Sequence, residues 1–125
     1  MREILFRGQA FGSREWIYGH YRNGRKVHII YQDENSDNCY AVRPESICQF
    51  TGLTDKNGKK IFEGDIVRYM NKETMVVVWN KDSASFAIAY SAINFNYIAT
   101  ISSAHIYLEV IGNIHDNPEL LESED

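Results

Sequence analysis

The amino-acid sequence predicts a mainly β fold of one or two small barrels, SH3-like in the C-terminal half, with a short C-terminal helical turn. Apolar residues recur with a period of two in many short runs, and polar segments rich in turn-forming residues separate these runs. No long stretch of the sequence has clear helical periodicity. Many short strands between polar turns are typical of small barrels and sandwiches.

The length of 125 residues suits a single domain over 1–125, with β subdomains over 1–50 and 51–114 as an alternative and an acidic tail over 115–125. No apolar run approaches the roughly 20 residues that a membrane-spanning helix needs. The N-terminus lacks the apolar region of an export signal, and two cysteines are too few for a disulfide framework. These features predict a soluble, cytoplasmic protein with no membrane contact.

The first half of the chain is predicted to form short strands joined by turns. Asn23-Gly24 is a strong hairpin signal because both residues tolerate positive φ. Pro44 favours a single helical turn, since its fixed φ suits the first helical position. The predicted strands are Ile4–Phe6, Trp16–Tyr21, Val27–Tyr31, Tyr40–Val42 and Ile47–Leu53, with a polar loop over 32–38.

The second half has the same character. Gly64 permits a sharp bend within Ile61–Val67, and a Gly-Asp bend that feeds a long strand is the basis of the SH3-like prediction. Asn117, Pro118 and Glu119 combine an N-cap, a first-turn proline and an early acid, which predicts the closing helical turn. The other predicted strands are Val76–Trp79, Phe86–Tyr90 and Leu108–Ile114.

Ordered sequence blocks carry a resemblance to a known family. The blocks are Met1–Ile4 with Phe6-Arg7, Trp16–Gly19, Val42–Leu53, Asp55–Val67 and Leu108–Leu121. Together they span nearly the whole chain, and the sequence resembles the YopX-like proteins of phages and prophages. The resemblance implies a phage or prophage protein of mainly β structure, and it implies no particular activity.

Catalytic and metal-binding patterns do not emerge from the sequence. A calcium loop starting at Asp55 would need Gly at its sixth and Glu at its twelfth position, where the chain has Lys60 and Ile66. Glu63 and Asp65 would share one face of a regular strand, so a carboxylate pair is conceivable, but the neighbouring lysines favour surface ion pairs. We therefore expect no catalytic residue, no metal and no cofactor.

One predicted strand has a face with the composition of a binding surface. If the strand is regular from residue 14, then Arg14, Trp16, Tyr18 and Arg22 share one face. Alternating cations and flat aromatics suit single-stranded nucleic acid, because bases stack on rings and phosphates pair with arginine. In the alternative, which the sequence favours, both aromatic rings belong to the core and the arginines lie at the strand ends.

Charge is distributed unevenly along the chain. Residues 1–30 hold six basic and two acidic side chains, whereas residues 109–125 hold six acidic and no basic ones. This predicts either a surface for a polyanion or head-to-tail contacts between copies, unless both ends are ordinary solvated surface. We expect a non-enzymatic phage accessory protein that binds a host or phage protein and forms a homo-oligomer. A nucleic-acid-binding module is the alternative, which the net charge of -4 disfavours.

Overall fold

The computed structural model describes residues 3–24, 27–32, 38–91 and 97–122. The chain divides into two compact units, Met1–Phe50 and Thr51–Asp125. Both units consist mainly of antiparallel strands, so the predicted mainly β fold is confirmed. Within these ranges no helix is long and apolar enough to cross a membrane. The predicted polar loop falls largely on residues 33–37, which lie outside the described residues.

The first unit is a curled sheet of short strands. Its strands are β1 (Phe6–Gln9), β2 (Trp16–Asn23), β3 (His28–Tyr31), β4 (Cys39–Val42) and the beginning of β5 (Cys48–Thr54). Successive strands pair in an antiparallel manner from β1 to β4, and β5 pairs with the other edge of β1. A 3-10 turn over Pro44–Ser46 precedes β5, with the proline at its start as predicted.

Backbone hydrogen bonds join the end of β4 to the end of β1. The Arg43 N–H donates to the Gln9 carbonyl at 2.8 Å, and Ala10 forms an antiparallel bridge with Val42. The four-stranded sheet therefore closes on itself and encloses one apolar cluster. Its buried members are Ile17, Ile30 and Val42, with Phe6, Ala10, Tyr21 and Ile47 packed against them.

The second unit contains a five-stranded sheet in the order β10-β9-β8-β7-β11. Its strands are β7 (Asp65–Tyr69), β8 (Glu73–Asn80), β9 (Ser85–Ala89), β10 (Tyr97–Thr100) and β11 (Leu108–Asn113), and a separate strand β6 (Lys60–Phe62) pairs with the end of β5. Helix α1 (Ile101–Ala104) leads into a 3-10 turn over His105–Tyr107, and α2 (Glu119–Glu122) is the predicted C-terminal helical turn.

The central strand β8 organises the core of the second unit. Its residues from Thr74 to Val78 are all buried, although they point alternately to the two sides of the sheet. Met75 and Val77 pack on one side with Ile88 and Leu108. Val76 and Val78 pack on the other side, in a cluster that includes Leu121 of α2. Both sheet faces are thus covered, which explains the unbroken apolar run of β8.

Candidate binding surface on the outer face of β2

Strand β2 directs alternate residues into the closed sheet of the first unit. Ile17, Gly19 and Tyr21 occupy inward positions, and Ile17 is buried in the apolar cluster. A Cβ atom on Gly19 would lie 1.9 Å from the Tyr31 carbonyl oxygen. Only glycine therefore fits at this position, where the backbones of β2 and β3 approach closely. The Tyr21 ring stacks on His28 with centroids 5.8 Å apart, and the phenol hydroxyl shares a 2.6 Å hydrogen bond with His28 Nδ1. These contacts fix which side of β2 faces inward.

The opposite side of β2 bears Trp16, Tyr18, His20 and Arg22, and we call this set the β2 face. Tyr18, His20 and Arg22 are exposed, whereas Trp16 is half-buried. The sequence favoured the interpretation that the rings of Trp16 and Tyr18 both belong to the core. This interpretation is wrong for Tyr18, which is 45% exposed. The aromatic contacts on the inward side come from Tyr21, which packs against Phe6 and His28, so this small core does not need the Tyr18 ring.

Side chains of two neighbouring strands contact the β2 face. Arg7 of β1 is buried and lies opposite Tyr18, and its guanidinium carbon is 4.6 Å from the centroid of the Trp16 ring, a cation–π contact. On the other side, the Arg22 Nη1 donates to the Tyr31 hydroxyl at 2.8 Å. Sequence reasoning missed Arg7 and Tyr31, because only the pairing register between strands brings them beside β2.

Arg14 belongs to the loop before β2 and not to the strand. It is exposed, its φ is +62°, and its backbone N–H donates to the Ala10 carbonyl at 3.1 Å. The predicted alternation therefore holds from Trp16 to Arg22 and does not reach back to Arg14. Of the predicted binding residues, the strand itself brings together Trp16, Tyr18 and Arg22.

The sequence block that starts at Asp55 is organised by the carboxylate of this buried aspartate. Its Oδ1 accepts the backbone N–H groups of Asn57 and Lys59, and its Oδ2 accepts that of Val110, each at 2.9 Å. Burial alone raises the pKa of Asp55, but the three N–H donors and the Lys59 charge outweigh burial and hold the pKa below its ordinary value. The segment after Asp55 is a turn.

Glu63 and Asp65 do not share one face of a strand, so the carboxylate pair considered from the sequence does not form. Glu63 lies in the turn between β6 and β7, where Gly64 has a φ of +86°. Asp65 is buried, and its Oδ2 accepts the Phe62 N–H at 2.8 Å. The positive φ of Gly64 breaks the strand alternation on which the pairing depended, and Asp65 has a structural contact across the turn.

The end of β11 is a second turn built by polar side chains. The Asn113 Oδ1 accepts the N–H groups of His115 and Asp116 at 3.0 and 2.9 Å, so these two residues lie in a turn and not in a strand. The predicted N-cap Asn117 instead directs its Oδ1 to the Asn113 N–H at 3.2 Å. A Cβ atom on Gly112 would lie 2.6 Å from that same oxygen, which explains the glycine.

A cleft of about 280 Å³ in the second unit is lined by Glu73, Thr74, Tyr90 and Leu121. The Tyr90 hydroxyl donates to the Glu73 carboxylate, and this hydrogen bond is the main reason that the pKa of Tyr90 is raised. Across the described ranges, no three His, Cys, Asp or Glu side chains are grouped so that they could hold a metal ion.

Comparisons with known proteins agree with the sequence blocks. The family model described as YopX protein matches residues 5–122, so the chain belongs to this family and the resemblance is confirmed. The crystal structure of protein EF1440 from Enterococcus faecalis is similar over 97% of this chain and 99% of that chain, with a TM-score of 0.61 and 24% identity. This similarity shows a shared fold. None of the curated proteins matches the chain.

Proposed function

From its membership of the YopX family, we propose that the chain is a non-enzymatic phage or prophage accessory protein of the host cytoplasm that acts by binding. Its targets are a host or phage protein and further copies of itself. The observation that carries the proposal is the β2 face, where the exposed Tyr18 and Arg22 flank His20 next to Trp16. Trp, Tyr and Arg are the residues that most often dominate the energy of protein interfaces.

The β2 face also has the rigidity that a binding surface needs. Strand pairing fixes the backbone on both sides of β2, and the contacts of Trp16 with Arg7 and of Arg22 with Tyr31 restrain two of its side chains. Side chains that are already restrained lose less conformational entropy when a partner binds. The surface is therefore favourable for docking without rearrangement of the strand.

Size-exclusion chromatography with light scattering tests the self-association part. We expect a concentration-dependent oligomer that Tyr18→Ser weakens and that Tyr40→Ser leaves intact. Tyr40 is a matched control because it is an exposed tyrosine of the same unit on a different strand. A strict monomer at high micromolar concentration would contradict self-association. Pull-down from prophage-carrying cells with the same variants tests the protein partner, and equal capture by both would contradict the β2 face as its site.

The exposure of Tyr18 also favours a second candidate function, a single-stranded nucleic-acid module. The β2 face presents the exposed Tyr18 ring and the exposed Arg22 on the same side of the strand, which suits base stacking and phosphate pairing. The test is titration with a labelled oligothymidylate, in which affinity should fall steeply with added salt because bound phosphates release counterions. Quenching of Trp16 fluorescence in a Trp79→Phe background reports contact with the β2 face.

Matched charge variants distinguish a specific face from general attraction to a polyanion. Replacing Arg22 with Ala should weaken oligonucleotide binding, whereas replacing the exposed Lys81 with Ala removes the same charge from the second unit. Equal weakening by the two variants would indicate binding by overall charge. If no oligonucleotide quenches the Trp16 fluorescence, the nucleic-acid function is contradicted and protein binding is the function that stays proposed.

A further inference from the structure

The turn between β7 and β8 holds an apolar side chain in an unfavourable backbone conformation. The Lys72 N–H donates to the Tyr69 carbonyl at 3.0 Å, and the central residues Met70 and Asn71 have φ values of +53° and +60°. Asparagine tolerates this left-handed region and is favoured in such turns, whereas methionine is not. Backbone strain of this kind persists where other contacts hold it, and it is concentrated at functional sites.

Met70 is part of an exposed apolar surface. Its N–H donates to the Tyr107 carbonyl at 3.0 Å, which joins the turn to the 3-10 segment that contains Ile106. Met70 is 52% exposed, Ile106 56% and Tyr107 46%. The Tyr107 ring packs edge-on against Tyr69 with centroids 6.5 Å apart, so its orientation is restrained. We call Met70, Ile106 and Tyr107 the Met70 patch.

The side chains around the Met70 patch give it a cationic border. The Lys56 Nζ donates to the Asn71 Oδ1 at 2.8 Å, and Lys72 is exposed in the same turn. Of the nearby carboxylates, Glu73 accepts the Tyr90 hydroxyl, and Glu109 lies opposite Arg68 in the strand pairing. The exposed Glu73 adjoins the turn, but the turn itself contains Lys72 and binds Lys56, and the natural complement of these two lysines is acidic.

We propose that the Met70 patch is a docking site for a partner protein, which presents an acidic segment with one large apolar side chain. The apolar anchor packs among Met70, Ile106 and Tyr107, and carboxylates of the partner segment pair with Lys56 and Lys72. The flexible, polarizable thioether of methionine suits such a contact because it adapts to the shape of the anchor. This site lies in the second unit and is separate from the β2 face, so it extends the proposed function to a second surface.

Selection from a random peptide library displayed on phage tests the chemistry of the partner. The library is selected on the wild-type chain and counter-selected on Met70→Asn, a substitution that suits the left-handed backbone and so keeps the turn. We expect the selected peptides to share acidic residues around one large apolar residue. Recovery of no such peptides, or of a basic or neutral consensus, would overturn the proposal.

Fluorescence polarisation with the most enriched peptide then tests the residues. Met70→Asn and the double change Lys56→Glu with Lys72→Glu should each weaken binding by about tenfold or more, which is the effect of an interface hot spot. Matched controls are Trp79→Ser, another exposed apolar position, and the double change Lys60→Glu with Lys81→Glu. Equal weakening by controls and patch variants would overturn the proposal. A wild-type dimer that Met70→Asn converts to a monomer would also overturn it, by assigning the patch to a second copy.

Discussion

The Asp55 carboxylate accepts the backbone N–H of Val110 at 2.9 Å and so joins two segments that are 55 residues apart in sequence. The same side chain accepts two N–H groups of its own turn. One buried carboxylate thus closes the turn after β5 and holds it against β11. Structure explains the sequence block that begins at Asp55, because its aspartate accepts three backbone N–H groups.

Removing the Asp55 carboxylate should destabilise the second unit. Asp55→Ala leaves three backbone donors without their acceptor, and we expect a loss of about 2–4 kcal/mol in the free energy of unfolding, since buried unsatisfied donors are costly. Asp55→Asn keeps one carbonyl acceptor and should cost less. Urea unfolding of the full chain, followed by circular dichroism, measures both. An Asp55→Ala protein as stable as the wild type would show that the carboxylate contributes nothing.

The lowered pKa of Asp55 predicts a specific dependence of stability on pH. The unfolded chain titrates this carboxyl near its ordinary value of 3.8, and the folded chain titrates it at lower pH. Between the two values the unfolded chain binds more protons, so the stabilisation is complete above the ordinary value and is lost as pH falls through the lowered one. The stability advantage over Asp55→Asn should therefore shrink below about pH 4. An advantage that stays constant from pH 7 to pH 3 would contradict this assignment.

Gly19 should tolerate no side chain. In Gly19→Ala the new Cβ would meet the Tyr31 carbonyl at 1.9 Å, and a backbone atom cannot move aside as a flexible side chain can. We expect a loss of about 2–3 kcal/mol as β2 and β3 are forced apart. Gly12→Ala is the control, because Gly12 has open space around it and a φ of +84°, so it should cost roughly 1 kcal/mol from backbone strain alone. Equal thermal stability of the two variants would contradict the close crossing.

The sequence predicted the two faces of β2, but it favoured the core for both Trp16 and Tyr18, whereas Tyr18 lies on the outward face. Period-two alternation separates Ile17 and Tyr21 from Trp16 and Tyr18 in any regular strand, yet both sets contain aromatic rings. Which face is outward depends on the return of β4 to β1, and therefore on contacts such as Ala10 with Val42 that are distant in sequence. Local patterns contain no information on such closure.

Strand β10 shows why short irregular elements escape sequence analysis. It has four residues at the edge of the sheet, and its register with β9 shifts between Tyr97 and Ala99. The shift interrupts the alternation on which strand prediction depends. The SH3-like arrangement that the sequence predicts for the second half is a separate point and stays a prediction.

The outward direction of Tyr18 makes a sharp prediction about two adjacent residues. Ile17 is buried in the apolar cluster of the first unit, so Ile17→Ala should cost about 2–4 kcal/mol through lost burial and a residual cavity. Tyr18→Ser removes a larger side chain, but from an exposed position, and should cost less than about 1 kcal/mol. Urea unfolding of the two full-length variants measures the contrast. If Tyr18→Ser proves as destabilising as Ile17→Ala, then Tyr18 contributes to the core and the β2 face loses its exposed tyrosine ring.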